Sequence, residues 1–291
     1  MTTNDIFKKV RAIEIKTRGL TNHIFGGEYH SAFKGRGMNF SEVREYSFGD
    51  DVRNIDWNVT ARFRSPYIKI FEEERELVLM LVVDISSSTL FGVNERTKRD
   101  LMTELSAVLA FSAISNNDKV GILFFSDKIE KYIPPKKGKS HILLIIRELL
   151  MIKPVQNAQT DISVALKFLN NIMKKRTITF LMSDFVDKGY ESALQLASKK
   201  HDIVGIHVYD KADCLLENVG LIYLEDSETH EMKWIDTSST SFQKKYKGQF
   251  DEIENQTKGY FSKSNASYMP IRTDENYVKS LKIFFKSRTK K

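Results

Sequence analysis

Hydrophobic positions run through the middle of this chain in two alternating rhythms. Unbroken apolar stretches at Leu77–Asp84 (LVLMLVVD), Val120–Phe125 (VGILFF), Thr177–Met182 (TITFLM) and Ile203–Tyr209 read as strands covered on both faces. Between them the apolar residues take helical spacing. Lys98–Ser115 carries Leu101, Leu105, Val108, Leu109 and Ile114 in that pattern, and His141–Ile152, Ile162–Ile172 and Tyr190–Lys200 read as further helices. Ile129–Ile133 alternates and stops at Pro134-Pro135, as an edge strand does. Strands alternating with helices of this length predict an α/β fold with a doubly wound, mostly parallel sheet.

The flanks follow other rules. Residues 1–76 lose any clean alternation after Lys16 and read as short strands and turns, finishing in Tyr67–Phe71 and the acidic run Glu72-Glu73-Glu74. Residues 220–236 read as a hairpin. Two apolar stripes follow at helical spacing: Phe242, Tyr246, Phe250, Ile253 and Tyr260, then Tyr277, Val278, Leu281, Phe284 and Phe285. The expected organisation is an N-terminal β-rich segment (1–76), an α/β domain (77–287) and a short tail (288–291).

Candidate chemistry gathers at strand ends. Asp84-Ile85-Ser86-Ser87-Ser88 follows a buried strand directly and fits the pattern D-x-S-x-S. Its carboxylate and two hydroxyls are hard oxygen ligands on one tight loop, suited to Mg²⁺, Mn²⁺ or Ca²⁺. The plainer alternative is a polar strand-to-helix turn with serine caps. Thr160 precedes a predicted helix and Asp184 follows a predicted strand, and in a doubly wound sheet these loops share one edge with Asp84. Three hydroxyls and two carboxylates would form a mostly neutral shell. Such a shell leaves the ion electron-poor, with a position open to an acidic group from outside.

This constellation resembles the metal-ion-dependent adhesion site of the von Willebrand factor A fold. Asp84, Ser86 and Ser88 match its first loop, Thr160 the second and Asp184 the third. The resemblance implies a mostly parallel sheet with one antiparallel edge strand, and a cation-dependent surface for a partner's Glu or Asp. Residues 34–57 (KGRGMNFSEVREYSFGDDVRNIDW), with Ala61-Arg62 and Glu72-Glu73-Glu74-Arg75, resemble the segment that precedes the adhesion-like domain in the bacterial domain-of-unknown-function 58 family. A hairpin glycine is expected where His230 stands. Members of that family are commonly encoded beside MoxR-type AAA+ ATPases, so the resemblance implies an ATPase partner and a client protein. Within the segment, Arg44, Asp50, Asp51, Arg53 and Asp56 are expected either to pin it onto the sheet domain through guanidinium–carboxylate pairs or to dock a partner. Trp57 is expected to be a buried anchor.

Composition trims the alternatives. The 291 residues carry a net charge of +7, but 1–76, 77–210 and 211–291 hold +1, +4 and +2, so the excess is spread thinly and argues against nucleic acid. Lys136-Lys137-Gly138-Lys139 and Lys174-Lys175-Arg176 are too short and lack interleaved aromatics. A single cysteine, Cys214, excludes an internal disulfide. The longest apolar run, Leu77–Val83, is far short of the roughly 20 residues that span a bilayer. No signal-like start is visible, so a cytoplasmic location is expected. The expected function is a non-enzymatic, metal-dependent adaptor. A metal-dependent phosphoester hydrolase is the alternative, with Asp161 the one nearby candidate base.

Overall fold

The computed structural model describes residues 11–14, 39–63, 65–72, 77–90, 92, 96–152, 159–225 and 232–289. The chain divides into two compact units, residues 33–76 and residues 1–32 with 77–291. The smaller unit thus begins at 33, within the expected 1–76 segment. The described turn at 11–14 belongs to the larger unit, where Glu14 pairs with Lys139 at 2.7 Å.

The larger unit is built on a six-stranded sheet. Its strands are β3 (Val78–Asp84), β4 (Lys119–Phe125), β5 (Ile129–Lys136), β6 (Ile178–Ser183), β7 (Asp202–Tyr209) and β10 (Ser267–Arg272), in the order β10-β7-β6-β3-β4-β5. All neighbours are parallel except β5, which runs antiparallel to β4 at the edge. Leu79, Met80, Leu81 and Val82 are wholly buried, as the unbroken apolar run requires of a strand covered on both faces.

One face is covered by α2 (Lys98–Ser115), which starts at a capping box between Thr97 and Asp100. Every residue from Leu101 to Ala113 except Glu104 is buried, so this helix shows little polar face. It packs beside α3 (Lys139–Met151). On the other face, α4 (Ile162–Ile172), α5 (Glu191–Lys200) and α7 (Thr240–Lys263) close a core of Met80, Val82, Leu166, Leu181, Leu194 and Phe261. A short α6 (Lys211–Cys214), a hairpin of β8 (Leu221–Glu225) and β9 (Met232–Asp236), and α8 (Tyr277–Thr289) complete the unit. Tyr223 and Trp234 face each other across that hairpin. Its tip, with His230, lies outside the described residues.

Two expectations about strands need correcting. β5 does not stop at the prolines: Val120 pairs with Lys136 and Ile122 with Ile133, so Pro134 and Pro135 oppose the single residue Gly121 in a bulge. A bulged edge strand tolerates proline because its outward N–H groups need no partner. The second is β10, which the sequence reading did not anticipate. It is short, lies at the opposite edge and contains Pro270, all of which weaken a strand signal, yet it pairs in parallel with β7 and buries Met269 and Ile271.

The smaller unit pairs β1 (Asn39–Glu45) with β2 (Tyr67–Glu72) and inserts a 3₁₀ turn (Val52–Asn54) and a helix, α1 (Trp57–Phe63), between them. The helix was not expected. Trp57, expected to be buried, opens that helix and is 70% exposed, as no residue of α1 is buried. The Arg and Asp side chains of this unit pair within it. Arg44 grips Asp50 through two bonds of 2.9 and 2.7 Å, Asp51 pairs with Arg53 at 3.0 Å, and Asp56 accepts from the Asn58 and Val59 N–H groups while pairing with Lys69. The Arg44–Asp50 and Asp51–Arg53 pairs join residues close in sequence, while Lys69 reaches Asp56 from β2.

Gly205 in β7 is a close-approach position. A Cβ placed there would meet the Phe261 ring at 2.3 Å, because α7 lays that fully buried ring on the strand. Gly205→Ala is expected to destabilise the protein by about 1–3 kcal/mol. Urea unfolding measures this, and an unchanged midpoint and slope would contradict the packing described.

Candidate metal centre

β3 is flanked by β4, which follows it, on one side and by β6, which the chain reaches after β5, on the other, so the winding of the sheet reverses here. That reversal opens a crevice beyond the carboxyl ends of β3 and β6, the usual place for a ligand in an open α/β sheet. Three loops meet there.

The first begins at Asp84, the last residue of β3. Ile85 N–H donates to the Phe125 carbonyl, which keeps the chain on the sheet for one more residue. Then Ser86 N–H donates to Asp84 Oδ1 at 2.9 Å, and the chain turns on its own side chain. A 3₁₀ turn at Ser87–Leu90 follows, fixed by the buried Thr89, whose hydroxyl donates to the Ser86 carbonyl at 2.7 Å. The turn brings Ser86 Oγ and Ser88 Oγ to 3.1 Å from each other.

The second loop carries Thr160, whose hydroxyl lies 3.4 Å from Asp84 Oδ2. Asp161 N–H donates to the Ser126 carbonyl at the end of β4, tying this loop to the sheet. The Asp161 carboxylate caps α4 by accepting from Val164 N–H at 3.0 Å. The expected candidate base is therefore committed to a helix end.

The third loop leaves β6. Ser183 Oγ donates to Asp84 Oδ2 at 2.6 Å and accepts from Phe185 N–H at 3.0 Å. Phe185 takes a left-handed backbone (φ 54°), unusual for a bulky residue, and is held there by ring contacts with Tyr190, His207 and Phe261. The strained turn carries Asp184 into the crevice, where its carboxylate feels the Ser88 hydroxyl. The five residues singled out in sequence, Asp84, Ser86, Ser88, Thr160 and Asp184, are thus brought together. Arg44, Asp50, Asp51, Arg53 and Asp56 belong to the smaller unit and form pairs within it.

The charges at the site are uneven. Asp84 is 1% exposed, and burial first, then the negative charge of Asp184, pushes its carboxyl up to about 7 against the pull of the Ser183 and Ser86 hydrogen bonds. Burial acts on Asp184 in the same direction, but the charge of Lys98 and the Ser88 hydroxyl outweigh it and hold this carboxyl below its ordinary range. Lys98 opens α2 and buries its ammonium between Asp184 Oδ2 (3.3 Å) and Asp213 Oδ2 (2.9 Å). One carboxylate of the crevice therefore has a cation beside it, and Asp84 has hydroxyl and amide donors alone among its described contacts.

Three hydroxyls and two buried carboxylates fit a hard divalent cation. The surplus negative charge around Asp84 is what such an ion would offset. Among the described residues, no cluster of three or more His, Cys, Asp or Glu is arranged to hold a metal. A site of this kind is recognised by its hydroxyls instead.

Sequence reasoning missed Ser183, Lys98 and Asp213. Ser183 had a signal, since it stands beside Asp184 at the same strand end. Lys98 and Asp213 had none, because they are distant in the chain and meet only through the fold. Cys214 is half-buried, and burial first pushes its thiol up to about 11, which leaves no reactive thiolate near neutrality.

Residues 42–256 match the family model described as "Protein of unknown function DUF58". Uncharacterized proteins of Mycobacterium bovis and Mycobacterium tuberculosis are 29% identical over 222 residues, 76% of this chain and 70% of each relative. Among solved structures, an aerotolerance-related membrane protein from Bacteroides fragilis aligns over 74% of this chain and 98% of its own, at 14% identity and a TM-score of 0.48. The von Willebrand factor A domain of SpRpn10 aligns over 72% of this chain and 94% of its own, at 12% identity and a TM-score of 0.40.

Asp84→Asn tests the electrostatic reading. The amide oxygen can keep the Ser86 N–H, and the Ser183 and Thr160 hydroxyls can rotate to accept from the amide nitrogen. The Asp84 carboxyl titrates higher in the folded chain than in the unfolded one, so its stabilising protonation is complete only well below pH 7 and is lost as pH rises through about 7. In EDTA at pH 8 the variant is expected to melt above the wild type, with the gain shrinking at pH 5. Thermal melts at both pH values check this, and a variant no more stable than wild type at pH 8 would contradict it.

Proposed function

The chain belongs to the DUF58 family of proteins of unknown function, and from the site it carries we propose that it is a non-enzymatic, divalent-metal-dependent protein-binding adaptor. The reading rests on one observation: three strand-end loops gather the oxygen-bearing side chains of Ser86, Ser88, Thr160 and Asp184 around the buried Asp84 carboxylate. Ser86, Ser88 and Thr160 would hold Mg²⁺, or Mn²⁺ or Ca²⁺, through their hydroxyls, with Asp84 and Asp184 supplying the negative charge. When bound, the ion supplies a Lewis-acidic position that a partner's Asp or Glu carboxylate completes. The remaining work is done by the protein. Ser183 and the Ser86 N–H hold Asp84 in one orientation, and the left-handed turn at Phe185 presents Asp184.

The same arrangement disfavours a hydrolase. Asp161 serves α4, and Asp187 accepts from Ile162 N–H at 2.8 Å, so each nearby carboxylate holds a helix end and neither is poised to take a proton from water.

In this reading the partner is a MoxR-type AAA+ ATPase, with a client protein captured at the ion, and the complex works in the cytoplasm. The smaller unit is the docking face for the ATPase. What supports that assignment is its exposed apolar set, Phe48, Val52, Trp57 and Phe63, beside the exposed Arg44–Asp50 and Arg53–Asp51 pairs. No described helix is long and apolar enough to cross a membrane.

Two experiments separate the parts. Calorimetric titration with Mn²⁺ is expected to show one site in the wild type and none in Ser86→Ala/Ser88→Ala. Co-expression with the MoxR-type ATPase of the same genome is expected to recover the ATPase on the tagged chain, with less recovery for a Trp57→Ala/Phe63→Ala variant. Recovery of a client is expected to vanish with EDTA and with Asp84→Ala. Equal client recovery under all conditions would remove the metal-dependent role, and failure to recover the ATPase would remove that partner.

A further inference from the structure

Lys98 stands in an unfavourable place by every local measure. It is the first residue of α2, where the positive end of the helix dipole opposes a cation. Its side chain is 4% exposed, so its ammonium has given up water. Among its described contacts, what compensates is a pair of carboxylates from distant parts of the chain, Asp184 in the loop after β6 at 3.3 Å and Asp213 in α6 at 2.9 Å. Asp213 is itself fixed: its other role is to accept from Asp210 N–H in the capping box that starts α6. Asp184 is different, because it also belongs to the five-residue centre.

We propose that Lys98 is a built-in competitor for the divalent ion at this centre, holding Asp184 and setting how tightly the ion is bound. The inference rests on the metal-dependent reading above and adds the residue that tunes it. Ion and ammonium draw on one carboxylate, and two cations held close together in a buried crevice repel. The ion therefore binds against Lys98, with lower affinity than the same oxygen set would give alone. Room for adjustment exists: Lys98, Asp184 and Asp213 line a cavity of about 200 Å³ with His207, Tyr246 and Phe250. An ammonium shared by two carboxylates can lean towards Asp213 when an ion takes up Asp184. The cost of that displacement makes occupancy respond to metal concentration instead of staying saturated.

The informative variant is Lys98→Met/Asp213→Asn. It removes one positive and one negative charge, so the net charge of the Lys98–Asp184–Asp213 cluster is unchanged and only the hold on Asp184 is lost. A neutral, similarly sized pair is also the replacement a buried ion pair tolerates best. Free Mn²⁺ measured by electron paramagnetic resonance during titration gives the affinity directly. The double variant is expected to bind Mn²⁺ about tenfold more tightly than wild type, and Asp213→Asn alone more weakly, since Lys98 then has Asp184 without its competitor. Lys98→Gln carries the same test if the double variant does not fold, with tighter binding again expected. Equal affinity in wild type and the lysine variants would overturn the role of Lys98 while leaving the metal centre standing. Tight uptake by the variants and none by wild type would support the competition and remove resident metal from the wild-type protein. No uptake by any of them would overturn the metal reading and this inference together.

Discussion

A carboxylate at the buried end of a central strand has to be compensated by what surrounds it, and Asp84 is that group here. It is almost fully enclosed, at the point where the sheet's connections reverse direction, and a second buried carboxylate stands beside it. Each of the three loops at this edge is shaped by the need to serve it. The first turns back on it through the Ser86 N–H, the second reaches it with a threonine hydroxyl, and the third ends its strand on a serine that donates to it. The strained backbone at Phe185 and the buried ammonium of Lys98 follow from the same requirement, since they place and offset the second carboxylate. Backbone strain and shifted carboxyls of this kind cluster at functional sites.

The elements that were legible in sequence are those whose own residues decide them. Continuous apolar runs made β3, β4, β6 and β7 visible, and helical spacing made α2 and α4 visible to their ends. The failures share a cause. β10 exists because β7 offers it a partner, and a six-residue segment with a proline in it carries little signal alone. β5 runs through its two prolines because an edge strand can bulge, which depends on where the strand lies and not on what it contains. Trp57 reads in sequence as a buried anchor, but α1 buries none of its residues, and the type of a side chain does not say which way its helix faces.

The site divides in the same way. Asp84, Ser86 and Ser88 sit on one loop and were readable as a motif. Thr160 and Asp184 were reachable because the rule that loops of a doubly wound sheet share an edge turns a topology into a neighbourhood. Ser183 was adjacent to a predicted residue and was passed over. Lys98 and Asp213 were beyond reach, since nothing near either residue announces that the first turns of two helices will meet over Asp184. The Arg–Asp pairs of residues 44–56 show the converse. Charge alternation predicted that pairs would form, but with carboxylates two to six residues away available, they formed locally.

The central claim is that the Asp84 crevice is a divalent-cation site built mainly of hydroxyls. Its most direct test is an anomalous difference map from crystals of the full chain grown with Mn²⁺. The account predicts one strong peak in the crevice, within bonding distance of the Ser86 and Ser88 hydroxyls. A crevice without a peak at saturating Mn²⁺, or manganese bound only at surface carboxylates, would contradict it.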